Sequence, residues 1–112
     1  IPSSAASDVY KRQLLYFSDH GEEVYDSIDF AGHPANGTFS FNMIEIPFLF
    51  WTSENDKLSN DYLARKFSLN DLSHSMADLY GIRSAEIDTT RSVFHKSFVE
   101  RQRVVWDTIK VK

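Results

Sequence analysis

The sequence predicts an α/β fold, and more narrowly one end of a larger α/β domain. Three observations point there. Two apolar runs, Leu14-Leu15-Tyr16-Phe17-Ser18 and Ile46-Pro47-Phe48-Leu49-Phe50-Trp51, have strand length and the pattern of strands buried on both faces. Leu69, Leu72, Met76, Leu79 and Tyr80 recur at spacings of three and four, which makes an amphipathic helix. The first run stops abruptly at Asp19-His20-Gly21-Glu22-Glu23, and open α/β sheets place their sites at strand ends. Two buried strands do not form a stable, doubly covered sheet by themselves. The order strand, polar segment, long loop, strand, helix and tail therefore reads as the end of something larger.

Taken in order, residues 1–13 contain Pro-Ser-Ser-Ala-Ala-Ser, with no periodicity and little to bury. They predict a loose tail, and they look like a translated cloning-adapter sequence rather than native protein. The domain proper is expected over 14–112. Residues 24–43 hold Gly32, Pro34 and Gly37 without a clear period, the mark of a long and functional loop. Pro47 suits the first positions of the second strand better than its centre. Thr52-Ser53-Glu54-Asn55-Asp56 offers turn and N-cap chemistry, with a short helix expected at roughly 59–66. Ser68 is the expected N-cap of the main helix, with Asp71 at the capping-box position and Gly81 as the stop. The apolar stripe of that helix is expected to be core packing. Residues 84–100 look irregular, and Arg103-Val104-Val105-Trp106 has the makings of a last short strand.

Composition narrows the function. The 112 residues are 42% apolar, 25% charged and 14% aromatic, enough for a packed core and against intrinsic disorder. Sixteen acids against twelve bases give a net charge of −4, the wrong sign for a nucleic-acid binder. The absence of cysteine excludes disulfides and thiolate metal sites without fixing the compartment. No apolar run approaches the ~20 residues that span a bilayer, and no signal peptide is visible. The first residue is Ile rather than Met, so a processed chain or a piece of a longer one is expected.

Chemistry concentrates in Ser18-Asp19-His20-Gly21-Glu22-Glu23. A carboxylate and a neutral imidazole are ordinary zinc ligands. As neighbours on an extended strand they would point to opposite faces, but where the backbone turns they can share a metal. Gly21 permits such a turn. The plainer alternative is a turn-capping Asp19 and a surface His20.

The segment Leu15-Tyr16-Phe17-Ser18-Asp19-His20-Gly21-Glu22-Glu23-Val24-Tyr25-Asp26 closely resembles the phosphoethanolamine transferases of the sulfatase and alkaline-phosphatase superfamily. Ile46 to Glu54 is similar to a second strand of that family. Phe67 to His74, Asp78 to Ile82, and Thr90-Arg91-Ser92-Val93 match further blocks in the right order. The resemblance runs from about Leu14 to Val105 and is strongest toward the branch that decorates the lipopolysaccharide core. It implies the C-terminal part of an alkaline-phosphatase-like α/β/α sandwich, incomplete in this chain. It further implies that Asp19 and His20 bind a catalytic zinc ion, and that His33 contacts the phosphate or a second metal. Calcium-dependent sulfatases usually carry Asn at the position of His20, and imidazole favours zinc over calcium. Relatives often show a further His before the second strand. Phe41-Asn42-Met43-Ile44-Glu45 has none, which leaves Asn42, Glu45 or no residue in that part.

The implied reaction moves phosphoethanolamine from phosphatidylethanolamine to lipopolysaccharide core or lipid A, at the periplasmic face of the inner membrane. The membrane is reached through an N-terminal region that this chain lacks. The family's threonine nucleophile lies upstream of Leu14, so the 112 residues alone are expected to be inactive. Another sulfatase-fold hydrolase, a phosphoglycerol transferase and a non-catalytic remnant of the fold remain alternatives. Among other residues, Glu22 and Glu23 either orient the ligands or form a solvated loop pair, the latter being favoured. His74, on the polar side of its helix, is expected to face solvent, His95 to be structural or exposed, Arg91 to join a surface salt bridge, and Trp51 and Trp106 to pack.

Overall fold

The computed structural model describes residues 12–32, 38–54, 60–106 and 108–111. The chain divides into two units, residues 1–55 and 56–112. Most of the expected tail lies outside the described residues, as do His33, Asn55 and Asp56.

In the first unit, β1 (Gln13–Phe17) pairs antiparallel with β4 (Phe48–Thr52). Both strands form where the apolar runs predict them, and Pro47 stands just before β4 rather than in its centre. The register sets Leu14 opposite Trp51 and Tyr16 opposite Leu49. Side chains alternate faces along a strand, so these four share one face. Leu15, Phe17, Phe48 and Phe50 share the other, where the Phe17 and Phe48 rings stack with centroids 6.1 Å apart. The first face is open: Leu14, Tyr16, Leu49 and Trp51 are each more than half exposed. The expectation of burial on both faces is therefore not met within this chain. Trp51 packs on no covering layer among the described residues, because the sheet has only two strands.

The long loop is partly ordered by two small elements that the sequence did not announce. β2 (Glu23–Val24) and β3 (Ala31–Gly32) form a two-residue antiparallel ladder. A 3-10 turn, Phe41–Met43, follows and buries Met43.

In the second unit, a 3-10 turn at Asn60–Ala64 stands where a short helix was expected. Ser68 caps the 3-10 turn that leads into the main helix, not the helix itself, whose N-cap position is Asp71: the Ser68 side chain accepts from the Asn70 amide at 3.3 Å. The chain runs through a 3-10 turn, Leu69–Asp71, into α1 (Leu72–Leu79). The capping box does not form, because the Asp71 carboxylate accepts from Arg91 Nη1 at 2.8 Å. That pair is the surface ion pair expected of Arg91. Gly81 stops the helix at φ +69°, a left-handed conformation that glycine adopts without steric cost. The Ile82 amide then donates back to Ala77 O at 2.8 Å and the Gly81 amide to Asp78 O at 3.1 Å, which satisfies the last carbonyls. A final hairpin joins β5 (Arg103–Val105) to β6 (Ile109–Val111). No helix among the described residues is long and apolar enough to cross a membrane.

The most buried position on α1 is not in the apolar stripe. Leu72, Met76 and Leu79 are only half-buried, whereas Ser75 is wholly buried and its Oγ accepts from the Val93 amide at 3.0 Å. His74, expected in solvent, is also half-buried and its Nδ1 accepts from the Asp88 amide at 3.1 Å. Both side chains tie the helix to the irregular segment that follows it. Replacing Ser75 with Ala leaves the Val93 amide buried without an acceptor, which costs about 1–3 kcal/mol. Denaturant titration of Ser75→Ala against wild type is expected to show that loss; an unchanged midpoint would remove the bond's importance.

Candidate metal centre

Asp19 and His20 occupy the turn that leaves β1. The Ser18 hydroxyl donates to the His20 carbonyl at 2.7 Å, and the His20 amide donates to Asp19 Oδ1 at 3.0 Å. These two bonds curl the backbone and bring adjacent side chains to one side. Asp19 Oδ1 lies 3.9 Å from His20 Nε2. The alternation of a straight strand would have separated them.

His20 Nδ1 sits 2.9 Å from the Gly21 carbonyl oxygen. A carbonyl can only accept, so Nδ1 carries the proton, which in the neutral imidazole leaves the lone pair on Nε2. A backbone carbonyl fixing the far nitrogen is the usual support of a metal-binding histidine. First the Gly21 carbonyl and then the Asp19 carboxylate push the His20 pKa above its ordinary value.

The donor set fits part of a zinc site. One carboxylate oxygen and one imidazole nitrogen, both ordinary zinc donors, stand 3.9 Å apart, and these two residues would hold the ion. Both are reachable, with the Asp19 side chain 89% and the His20 side chain 46% exposed. Among the described residues no group of three or more His, Asp or Glu gathers, so these two supply a fraction of a coordination sphere.

Beneath the pair lies a feature that the sequence did not reveal. Glu23, favoured as half of a solvated loop pair, is completely buried, while Glu22 is exposed. Glu23 Oε1 accepts from the Ser27 amide at 2.8 Å. Its Oε2 accepts from the Ser27 hydroxyl at 2.8 Å, from the Ser40 hydroxyl, and from Asn42 Nδ2 at 3.1 Å. The Ser40 hydroxyl first, then the Ser27 amide, lower the Glu23 pKa to about 2 from an ordinary 4.5. A depressed carboxylate pKa stabilises the fold above pH 4.5, and that contribution fades as pH falls toward 2. The Asn42 amide is thereby committed to Glu23, while Glu45 is exposed.

The same loop grips Gly21. Its amide donates to Met43 O at 3.0 Å. A Cβ there would overlap the Asn42 carbonyl oxygen and stand 2.6 Å from Glu45 O. Gly21 is needed for close backbone approach, not for an unusual φ. In the second unit, His95 Nδ1 accepts from the Ser97 amide at 3.0 Å.

No family model matches the chain. It is 41% identical over 106 residues to phosphoethanolamine transferase EptC of Escherichia coli (strain K12). It is 38% identical over 106 residues to phosphoethanolamine transferase CptA of Salmonella typhimurium (strain LT2). Each alignment covers 87% of this chain and 18% of the relative, so the chain spans under a fifth of the length of these proteins. The crystal structure of the C-terminal periplasmic domain of EcEptC from Escherichia coli superimposes with a TM-score of 0.75 at 36% identity, covering 87% of this chain and 32% of that one. The same domain in complex with Zn gives 0.73 at 39% identity, covering 80% and 27%. The chain is thus homologous to phosphoethanolamine transferases over most of its length, as the sequence blocks predict. It has part of the mixed α/β, sulfatase-type fold of that domain.

Proposed function

We propose, from this homology, that the protein carrying this chain is a zinc-dependent phosphoethanolamine transferase. It takes the group from phosphatidylethanolamine and delivers it to lipopolysaccharide core or lipid A. The chain belongs to a catalytic domain on the periplasmic face of the inner membrane. The observation that carries the proposal is the Asp19–His20 pair, curled to one side with the imidazole proton held on Nδ1. It lies in a chain homologous to a domain that has been crystallised in complex with Zn.

Zinc at this pair supplies a Lewis acid toward phosphoryl oxygens and lowers the pKa of a bound hydroxyl. The chain's own residues prepare for that. Gly21 O fixes the imidazole tautomer, Nε2 offers its lone pair, and Asp19 adds the negative charge that draws a cation. His33, outside the described residues, is the proposed contact to phosphate or to a second metal. The threonine nucleophile implied by the resemblance lies upstream of Leu14, so these 112 residues alone transfer nothing.

The test uses the full-length protein in membranes containing phosphatidylethanolamine and lipopolysaccharide. Wild type is expected to contain zinc and to modify the acceptor. His20→Ala is expected to lose most of the metal and at least a hundredfold of the transfer rate, since ligand and electrostatic contributions of this kind are worth several kcal/mol. Unchanged zinc content in His20→Ala would overturn the metal assignment. Release of phosphoethanolamine to water without acceptor modification would overturn the transfer.

A further inference from the structure

We propose that Glu23 is a positioning residue for the Asp19–His20 donor pair, acting through the turn at 40–43. The inference rests on the zinc proposal above and extends it to a residue that touches neither donor.

The route is continuous. The Glu23 carboxylate takes up the Ser40 hydroxyl and the Asn42 amide, which come from 17 and 19 residues away. That anchors the 3-10 turn Phe41–Met43 against the chain that leaves β1. The anchored turn receives the Gly21 amide at Met43 O and stands so close to Gly21 that no side chain fits between them. Gly21 in turn offers its carbonyl to His20 Nδ1. The residue whose carbonyl orients the imidazole is therefore held, through its own amide, by a turn whose place is set by Glu23. All the buried side-chain atoms of the described residues have partners, so the cluster is complete as built. Glu23 Oε1 accepts from the Ser27 amide, and the Ser27 hydroxyl joins the donors on Oε2. Nothing in this arrangement contacts solvent through Glu23, which is wholly buried. A carboxylate there is an internal fastener, not a spare ligand.

Glu23→Gln keeps the shape but puts an NH2 group where donors already converge. With the oxygen kept toward the Ser27 amide, the NH2 replaces the acceptor that Ser40 Oγ and Asn42 Nδ2 share, so those groups must reverse roles and the negative charge that strengthens their bonds is lost. In the full-length protein, zinc affinity measured by chelator competition is expected to fall about tenfold or more, the range seen when groups that orient metal-binding histidines are altered. The cobalt-substituted variant is expected to show a shifted visible absorption spectrum at saturating metal. Asn42→Ala removes one donor and leaves the charge, so it is expected to weaken zinc in the same direction by less. This milder variant decides the matter if Glu23→Gln fails to fold. Ser75→Ala, in the other unit, is expected to lower stability with wild-type zinc affinity and spectrum.

Wild-type affinity and spectrum in both Glu23→Gln and Asn42→Ala would overturn the positioning role while leaving the metal assignment intact. An equal loss in Ser75→Ala would also overturn it, since zinc would then be following global stability. Wild-type zinc binding in His20→Ala would remove the metal assignment and this inference with it.

Discussion

One methyl group at position 21 is expected to destabilise the full-length protein by about 2–4 kcal/mol and to strip zinc from it. The Gly21 Cα faces two backbone carbonyls, those of Asn42 and Glu45. Neither can swing aside as a long side chain would. An added Cβ must therefore push the turn at 41–43 away from the chain leaving β1. Overpacking of this kind costs about 1–3 kcal/mol. The displacement also breaks the bond from the half-buried Gly21 amide to Met43 O, which adds about 1 kcal/mol. Because Gly21 has an ordinary φ, Gly21→Ala tests crowding alone and is not confounded by backbone strain. Denaturant titration with metal analysis on the same samples checks it. A midpoint and zinc content equal to wild type would show that the turn is not packed on Gly21.

The second large effect concerns the open face of the β1–β4 sheet. Leu14, Tyr16, Leu49 and Trp51 form one contiguous apolar surface, with no covering element among the described residues. Among the described residues the sheet has two strands. Exposed apolar faces of this kind recruit other chains. The 112-residue chain expressed by itself is expected to bind hydrophobic dyes, elute as mixed oligomers and melt without a sharp transition. Leu49→Lys with Trp51→Lys is expected to shift it toward monomer by placing charge on that face. A sharp, cooperative melt of monomeric wild-type chain would contradict this, because the face would then be harmless.

The sequence marked the elements that depend on a local pattern. Both apolar runs became strands within two residues of their expected bounds, Ser68 capped the turn that leads into the helix, and Gly81 stopped the helix by the mechanism its position suggested. Asp19 and His20 were legible as candidate donors because a polar pair at a strand end is a local signal too. What escaped was set by partners distant along the chain. Two apolar runs carry no information about strand direction, and β1 and β4 pair antiparallel. Two adjacent glutamates look alike in the sequence. Only Glu23 meets Ser27, Ser40 and Asn42, up to 19 residues on, and only Glu23 is buried. The β2–β3 ladder is two residues long, too short for an alternation to show. Ser75 and His74 read as polar helix surface because the segment they bind, Asp88 to Val93, has no periodicity to announce it.

The Glu23 cluster also constrains how such a chain can change over generations. A buried acceptor and its donors are nearly neutral to replace together and costly to replace singly, because each single loss strands the others. Ser40 Oγ and Asn42 Nδ2 both donate to the same Glu23 oxygen. Four positions spread over twenty residues thus behave as one heritable trait: a lineage that gives up the acid must pass through a less stable ancestor or alter its serines and its asparagine in the same step.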